Sequence, residues 1–253
     1  VPVILYLHSA AERGTSIEHV FTNSYSGNLW VNSWINLLVD ETQTGDHQAV
    51  LVIPQSGLGQ VWNSINAGDN WNVGNYTNAS QPAISPRLQL AVEILDQVVA
   101  SANVDTNRVY ITGPSMGGFG TWDALARFPE KFAAAMPLSG GGNTEAARTV
   151  FNGKPVWTYH GAIDSLISVG NTDQLTTGMR ATGGSPIYSR PADQNHGGFD
   201  LFYTPRYFTV NSPSVTGGTG MNVYDWLFSQ TFATGGASID PTAGRAGMRA
   251  FVV

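Results

Sequence analysis

Residues 111–122 read ITGPSMGGFGTW, a β-branched run that breaks into glycines around one serine. Within it, Gly113-Pro114-Ser115-Met116-Gly117 fits the G-x-S-x-G pattern. That pattern marks either a nucleophile on a strained strand-to-helix turn or a small-residue turn that happens to carry a serine. The flanks favour the first. NRVYITG (107–113) reads as a buried strand, and GFGTWDALARF (118–128) reads as a helix that Pro129 ends. A turn this sharp leaves no room for side chains two residues either side of the serine, so Gly is needed at both places. The helix that follows aims its N-terminus at the serine, and the N–H of Met116 is placed to bind a developing oxyanion.

Working outward, VILYL (3–7) and AVLVI (49–53) are continuous apolar runs, as expected for strands buried on both faces. PRLQLAVEILDQVVAS (86–101) spaces Leu88, Ala91, Leu95 and Val98 three to four apart, the mark of an amphipathic helix, with Pro86 at its start. FAAAMPL (132–138), PVWTYHG (155–161) and PIYSR (186–190) read as further strands; residues 170–182 and 221–230 read as helices. Strand and helix alternate, which predicts an α/β fold with a mostly parallel sheet covered by helices on both faces. One domain over residues 1–230 is expected, with 231–253 as a tail or an added strand. Two long irregular stretches, 55–85 and 199–220, interrupt the pattern, and loops of that length usually carry function or move.

A serine nucleophile needs a base and an acid. In the chain order that goes with this elbow, the acid and then the His follow the serine. Of the five His, only His160 and His196 lie downstream. His160 ends a predicted strand and reads as a residue that orients the loop after it. His196 sits in the Gly-flanked loop DQNHGGFD, where an accessible imidazole would be presented. Asp164 lies four residues past His160, at the end of that strand, and is the expected acid; Asp173 falls in a predicted helix and Asp193 is only three residues from His196. The second oxyanion donor is expected from the loop after the first strand, LHSAAERG (7–14).

These pieces together resemble an α/β-hydrolase. The segments LHSAAERG, VYITGPSMGGFGTWDALARFPEKFAAAMPLSGGG, PVWTYHGAIDSLISV and NHGGFD are similar to the secreted esterase and peptidase-like family related to poly(3-hydroxybutyrate) depolymerases and feruloyl-type esterases. The resemblance implies Ser115 as nucleophile, Asp164 as acid and His196 as base. It also implies the N–H groups of Met116 and Ala10 as the oxyanion hole, with no metal or cofactor. One departure stands out. The family pattern His-Gly-small-Gly-Glu-Arg-Gly is here His8-Ser9-Ala10-Ala11-Glu12-Arg13-Gly14, so Ser9 and Ala11 replace both variable glycines. Displacement of the Ala10 donor would follow if those residues had to adopt glycine-like angles. Glu12 and Arg13 are read as a structural ion pair beside the site or as substrate contacts. The start inside a strand, at VPVILYLH, suggests a leader and one or two strands upstream; the family's first strands are missing there, which implies a sheet shorter at one edge or a trimmed chain.

The bulk numbers narrow the partner. Net charge is −6 and lysine occurs only twice, at Lys131 and Lys154, which argues against nucleic acid and against an anionic membrane surface. No apolar run approaches the roughly 18 residues of a membrane span. With no cysteine, disulfides, zinc–thiolate sites and thiol nucleophiles are excluded. The charged share is 12 %, about half the usual, and the surface draws on amides and hydroxyls, a composition expected of a secreted or periplasmic bacterial-type protein. The expected partner is an ester, polymeric esters included. An amidase on the same triad and a catalytically weak binding domain are the alternatives. Trp62, Trp71 and Phe199, in the two long stretches, either line a hydrophobic substrate cleft or pin those loops to the domain.

Overall fold

A computed structural model describes residues 1–23, 30–31, 33–205, 208, 214–217 and 220–232. In chain order its elements are β1 (Val3–Tyr6), α1 (Glu18–Phe21), β2 (Thr22–Asn23), β3 (Trp30–Val31), α2 (Ser33–Gln43), β4 (Val50–Val52), α3 (Pro86–Ser101), β5 (Val109–Pro114) and α4 (Met116–Arg127). There follow β6 (Ala134–Leu138), α5 (Ala146–Thr149), β7 (Trp157–Tyr159), α6 (Gly170–Ala181), β8 (Ile187–Ser189), α7 (Phe199–Tyr203), β9 (Val215–Thr216) and α8 (Val223–Ser229).

The apolar runs become strands buried from both sides. Every residue of β1, β5, β6, β7 and β8 is buried. The sheet order is β4-β1-β5-β6-β7-β8-β9. Its first six strands are parallel, and β9 closes the edge antiparallel to β8. Val3, Leu5 and Leu7 pack into one core with Leu88, Leu95, Trp122 and Met179 of α3, α4 and α6. Ile4 and Tyr6, pointing the other way, join Ile35, Leu38, Phe202 and Trp226 of α2, α7 and α8. This is the expected α/β-hydrolase arrangement, helices on both faces of a mostly parallel sheet.

The topology places the chemistry. The chain leaves β1, adds β4 outside it, then returns to lay β5 on the other side. Strand order therefore reverses between β1 and β5, and crevices outside the carboxyl ends of strands form at such a reversal. The loops after β1, β5, β7 and β8 all emerge at that end, carrying residues 8–14, Ser115, Asp164 and His196.

The long stretch 55–85 is irregular but pinned. Tyr76 donates its hydroxyl to the buried Asp123 of α4 at 2.7 Å, and Asn75 donates to the Asn171 carbonyl at 2.9 Å. The second stretch, expected to be irregular from 199, instead opens with α7 and later adds β9, because Phe199, Phe202 and Tyr203 find the core at helical spacing. Helix α2 lies in a segment where the sequence predicts no element. Of the stretch 231–253, only Thr231 and Phe232 are described, with the Phe232 N–H donating to the Asn107 carbonyl at 3.0 Å; the expected tail or added strand otherwise falls outside the described residues. Among the described residues, no helix is long and apolar enough to cross a membrane.

Candidate active site

Ser115 sits at φ 57°, ψ −116°, a left-handed strain that only a tightly held turn sustains. The hold is visible on both sides: its N–H donates to the Leu138 carbonyl of β6 at 2.9 Å, and its carbonyl accepts the Phe119 N–H at 3.1 Å. The flanking glycines are needed, though for a reason the motif alone does not reveal. A Cβ at Gly113 or at Gly117 would overlap the Leu7 carbonyl oxygen at the end of β1, the neighbouring strand.

The serine Oγ lies 2.8 Å from His196 Nε2, and His196 Nδ1 lies 2.7 Å from Asp164 Oδ2. The structure thus brings together the three side chains that the sequence singled out. The Asp164 side chain is fully buried and saturated. Its Oδ1 accepts the N–H groups of Leu166 and Ile167 at 2.9 and 2.8 Å, and its Oδ2 also faces His160 Nε2 at 3.2 Å. Burial alone would raise its pKa, but the bonds from His160 and His196 outweigh it and hold the carboxyl well below the usual carboxylate range. Asp164 therefore stays ionised opposite an imidazole. Asp173 pairs instead with Arg190 and Tyr188.

Two further side chains hold Asp164 and His196: His160, expected to orient the loop after its strand, and Asn195, for which the sequence predicts no role. His160, fully buried, touches Thr172 Oγ1 through Nδ1 at 2.8 Å and the Ile167 carbonyl through Nε2 at 3.0 Å, so it braces the loop that carries Asp164 as well as Asp164 itself. Asn195 Oδ1 accepts the N–H of His196 at 2.8 Å and that of Ser165 at 2.9 Å, tying the loop of His196 to the loop of Asp164. The Asn-His dipeptide was the only available signal for it.

On the other flank, Ser9 takes φ −74°, ψ 171°, and Ala10–Glu12 form a single 3-10 turn. No residue from Ser9 to Ala11 has a positive φ, so replacing the two glycines strains nothing. Ala10 opens its turn and Met116 opens α4, and a helix leaves its first N–H groups without an internal partner. Both donors stand at the carboxyl ends of adjacent strands, β1 and β5. His8 is a brace: its Nδ1 donates to the Ser9 carbonyl at 2.7 Å while Nε2 accepts the Ser56 N–H at 2.9 Å. Burial lowers its pKa to about 4, keeping it neutral.

The ion pair expected between Glu12 and Arg13 does not form, because each side chain turns to a different partner. The Glu12 carboxyl, fully buried, accepts the Ser9 N–H and Trp34 Nε1–H; Arg13 pairs with Asp69 at 2.7 Å. Two of the three loop aromatics pack inward. Trp62 is 1 % exposed, with its indole N–H donated to the His8 carbonyl at 2.8 Å. Phe199 is buried edge-on to the His196 ring at 5.6 Å, backing the imidazole from behind. Trp71 is half-buried against the core. Of the two roles open to these aromatics, cleft lining and loop pinning, the burial of Trp62 and Phe199 fits the second, since a buried ring has no face left for a ligand. Tyr207, another aromatic of that stretch, lies outside the described residues.

The exposed apolar side chains are elsewhere. Five large ones stand out among the described residues, and three of them lie close in the chain to residues of the site: Ile163 and Leu166, 58 % and 46 % exposed on either side of Asp164, and Leu58, 78 % exposed and two residues past Ser56, which bonds His8.

Residues 1–185 match the model of the Esterase family. The bifunctional acetylxylan esterase/xylanase of Neocallimastix patriciarum is 30 % identical over 131 residues, 51 % of this chain and 16 % of that protein. Poly(3-hydroxyalkanoate) depolymerase C of Paucimonas lemoignei is 34 % identical over 96 residues, 38 % of this chain and 21 % of that protein. The chain thus spans a fifth or so of these relatives' length. Among solved structures, a thermostable esterase superposes with a TM-score of 0.67 at 26 % identity, covering 91 % of this chain and 55 % of that one. SOBER1 of Arabidopsis thaliana shares the fold, with a TM-score of 0.51 at 16 % identity over 78 % of this chain and 90 % of its own.

Proposed function

The chain belongs to the Esterase family, and from that premise we propose that it is a serine hydrolase that cleaves carboxylic esters through an acyl-enzyme on Ser115. The observation that carries the reading is the contact series from Ser115 Oγ to His196 Nε2 to Asp164, at 2.8 and 2.7 Å. Those are the distances of a nucleophile, its base and the group that orients the base.

His196 takes the Ser115 proton as Oγ attacks the acyl carbon, and the carbonyl oxygen becomes an oxyanion. The N–H groups of Met116 and Ala10 hold that charge. His196 then gives the proton to the leaving alkoxide, so the ester C–O bond breaks and the acyl group stays on Ser115. Water, deprotonated by the same imidazole, attacks the acyl-enzyme; the acid leaves and the serine recovers its proton. Asp164, ionised and fully enclosed, fixes the His196 tautomer throughout.

The apolar lip of Leu58, Ile163 and Leu166 supports esters whose acyl or alcohol part is apolar, polyester chains included. The lysine-poor composition supports an exported enzyme working on such material outside the cell.

The test is Ser115-dependent turnover. The wild type should hydrolyse p-nitrophenyl butyrate and be labelled by a fluorophosphonate, and Ser115→Ala should do neither. A panel of polyester film, feruloyl esters and peptides then ranks the substrates. No Ser115-dependent turnover on any of them, with no labelling, would sink the proposal.

A further inference from the structure

Fully buried carboxyls are uncommon because desolvation penalises them. Glu12 is one, in the loop after β1, and the acyl-transfer chemistry makes no direct use of it. Hydrogen bonds from Ser9 and Trp34 account for the placement. Oε2 accepts the N–H of Ser9 at 2.5 Å, and Oε1 accepts the indole N–H of Trp34 at 3.0 Å. The next residue works on the other side of the same turn: Arg13 Nε donates to the Ala10 carbonyl at 3.0 Å, while its Nη1 is anchored on Asp69 at 2.7 Å.

The peptide that carries the Ala10 N–H lies between the two peptides so tied. The plane before it is fixed through Ser9 N–H, and the plane after it through Ala10 C=O. A rigid peptide unit flanked by two fixed planes has little freedom left. We propose that Glu12 and Arg13 are positioning residues that aim the Ala10 N–H at the oxyanion. The inference rests on the reading of Ala10 as an oxyanion donor.

The electrostatics agree. Burial pushes the Glu12 carboxyl up to about 8, against the opposing effect of the Ser9 and Trp34 hydrogen bonds. At neutral pH the group is held uncharged, so no carboxylate charge opposes the oxyanion beside it. Trp34 extends the same brace to the base. It packs edge-on against Phe199 at 5.7 Å, and Phe199 in turn packs edge-on against His196 at 5.6 Å.

Kinetics of Glu12→Ala, Glu12→Gln and Arg13→Ala test the assignment, read on p-nitrophenyl butyrate together with the Ki of a trifluoromethyl ketone. The serine adduct of that ketone puts an oxyanion where the reaction does. Losing the aim of one donor lowers kcat on the order of 10- to 1,000-fold. Glu12→Ala and Arg13→Ala should show that loss with KM within about twofold, and Ki should rise in parallel with the fall in kcat/KM. Glu12→Gln keeps one acceptor for Ser9 N–H and should recover part of kcat. If Glu12→Ala does not fold, Glu12→Gln and Arg13→Ala decide. A lowered melting temperature with unchanged kcat and Ki in these variants overturns the assignment and leaves a purely structural role. A wild type that lacks Ser115-dependent turnover removes the esterase reading, and this inference with it.

Discussion

Replacing Asp164 by Asn exchanges one oxygen for an NH₂ group and changes little else in volume. The consequences follow from the four contacts of the carboxylate. Oδ1 accepts two backbone N–H groups, from Leu166 and Ile167, and the Asn oxygen keeps both. The new NH₂ then stands where Oδ2 faced two imidazole nitrogens. His160 Nε2 also points at the Ile167 carbonyl, 3.0 Å away, so its proton stays there. His196 is the one that must yield. Its Nδ1 becomes an acceptor for the amide, and its proton moves to Nε2, 2.8 Å from Ser115 Oγ. A nitrogen that already carries a proton takes none from the serine. A base locked in the wrong tautomer lowers kcat on the order of 10⁴-fold, equivalent to about 5.5 kcal/mol. The effect on the fold is smaller, about 1–3 kcal/mol for one mismatched buried polar contact. Steady-state hydrolysis of p-nitrophenyl butyrate, with thermal melting of the same samples, separates the two effects. Asp164→Ala sharpens the comparison: it also strips the caps from Leu166 and Ile167, so it should melt lower than Asp164→Asn at a similar kcat. A folded Asp164→Asn within tenfold of wild-type kcat would refute the assignment of Asp164 as the acid.

Gly117→Ala places a methyl on the Leu7 carbonyl oxygen, so β1 or the elbow must shift; kcat should fall at least ~100-fold, with about 1–3 kcal/mol lost in urea unfolding. Trp62→Ala empties a fully enclosed site and orphans the His8 carbonyl, an expected 3–5 kcal/mol of stability by denaturant titration, with no selective rise in KM if the ring touches no substrate. Glu12 makes stability depend on pH. Its folded pKa of about 8 lies above the ordinary 4.5, so its contribution is complete below pH 4.5 and fades as pH rises through 8. The slope approaches ~1.4 kcal/mol per pH unit and should vanish in Glu12→Gln; Tyr6 and Tyr203, the ionisable groups facing it, are raised above 10 and do not titrate in that window. Ile163→Ser with Leu166→Ser should raise KM for p-nitrophenyl octanoate several-fold more than for the acetate, leaving the melting temperature nearly unchanged, and equal effects on both esters would exclude the lip from substrate binding.

What the sequence disclosed divides along a physical line. Strands, helices and the elbow depend on local rules, apolar period and permitted φ, and those are written in adjacent residues. The runs at 3–7 and 107–113 became β1 and β5, and the glycines at 113 and 117 fell where a turn needed them. The obstacle those glycines avoid, the Leu7 carbonyl, is more than a hundred positions away, and no local rule names it. The same limit explains His160. Its position at a strand end was legible, but its contact with Asp164 Oδ2 depends on how the loop after β7 closes. Helix α2 was legible in principle, since Ile35 and Leu38 are three apart and both buried, but few apolar positions repeat beyond them. The aromatics show the limit most plainly. Composition says how much apolar area a loop carries and nothing about its direction: Trp62 and Phe199 turned inward. The large apolar side chains that stay exposed close in the chain to residues of the site are Leu58, Ile163 and Leu166, which sit in loops that periodicity passes over. Closeness to Asp164 in the chain does not settle the direction either: Leu166 is exposed, while Ile167, the next residue and bound to the same carboxylate oxygen, is fully buried, so the closing of the loop after β7 decides which way each side chain faces.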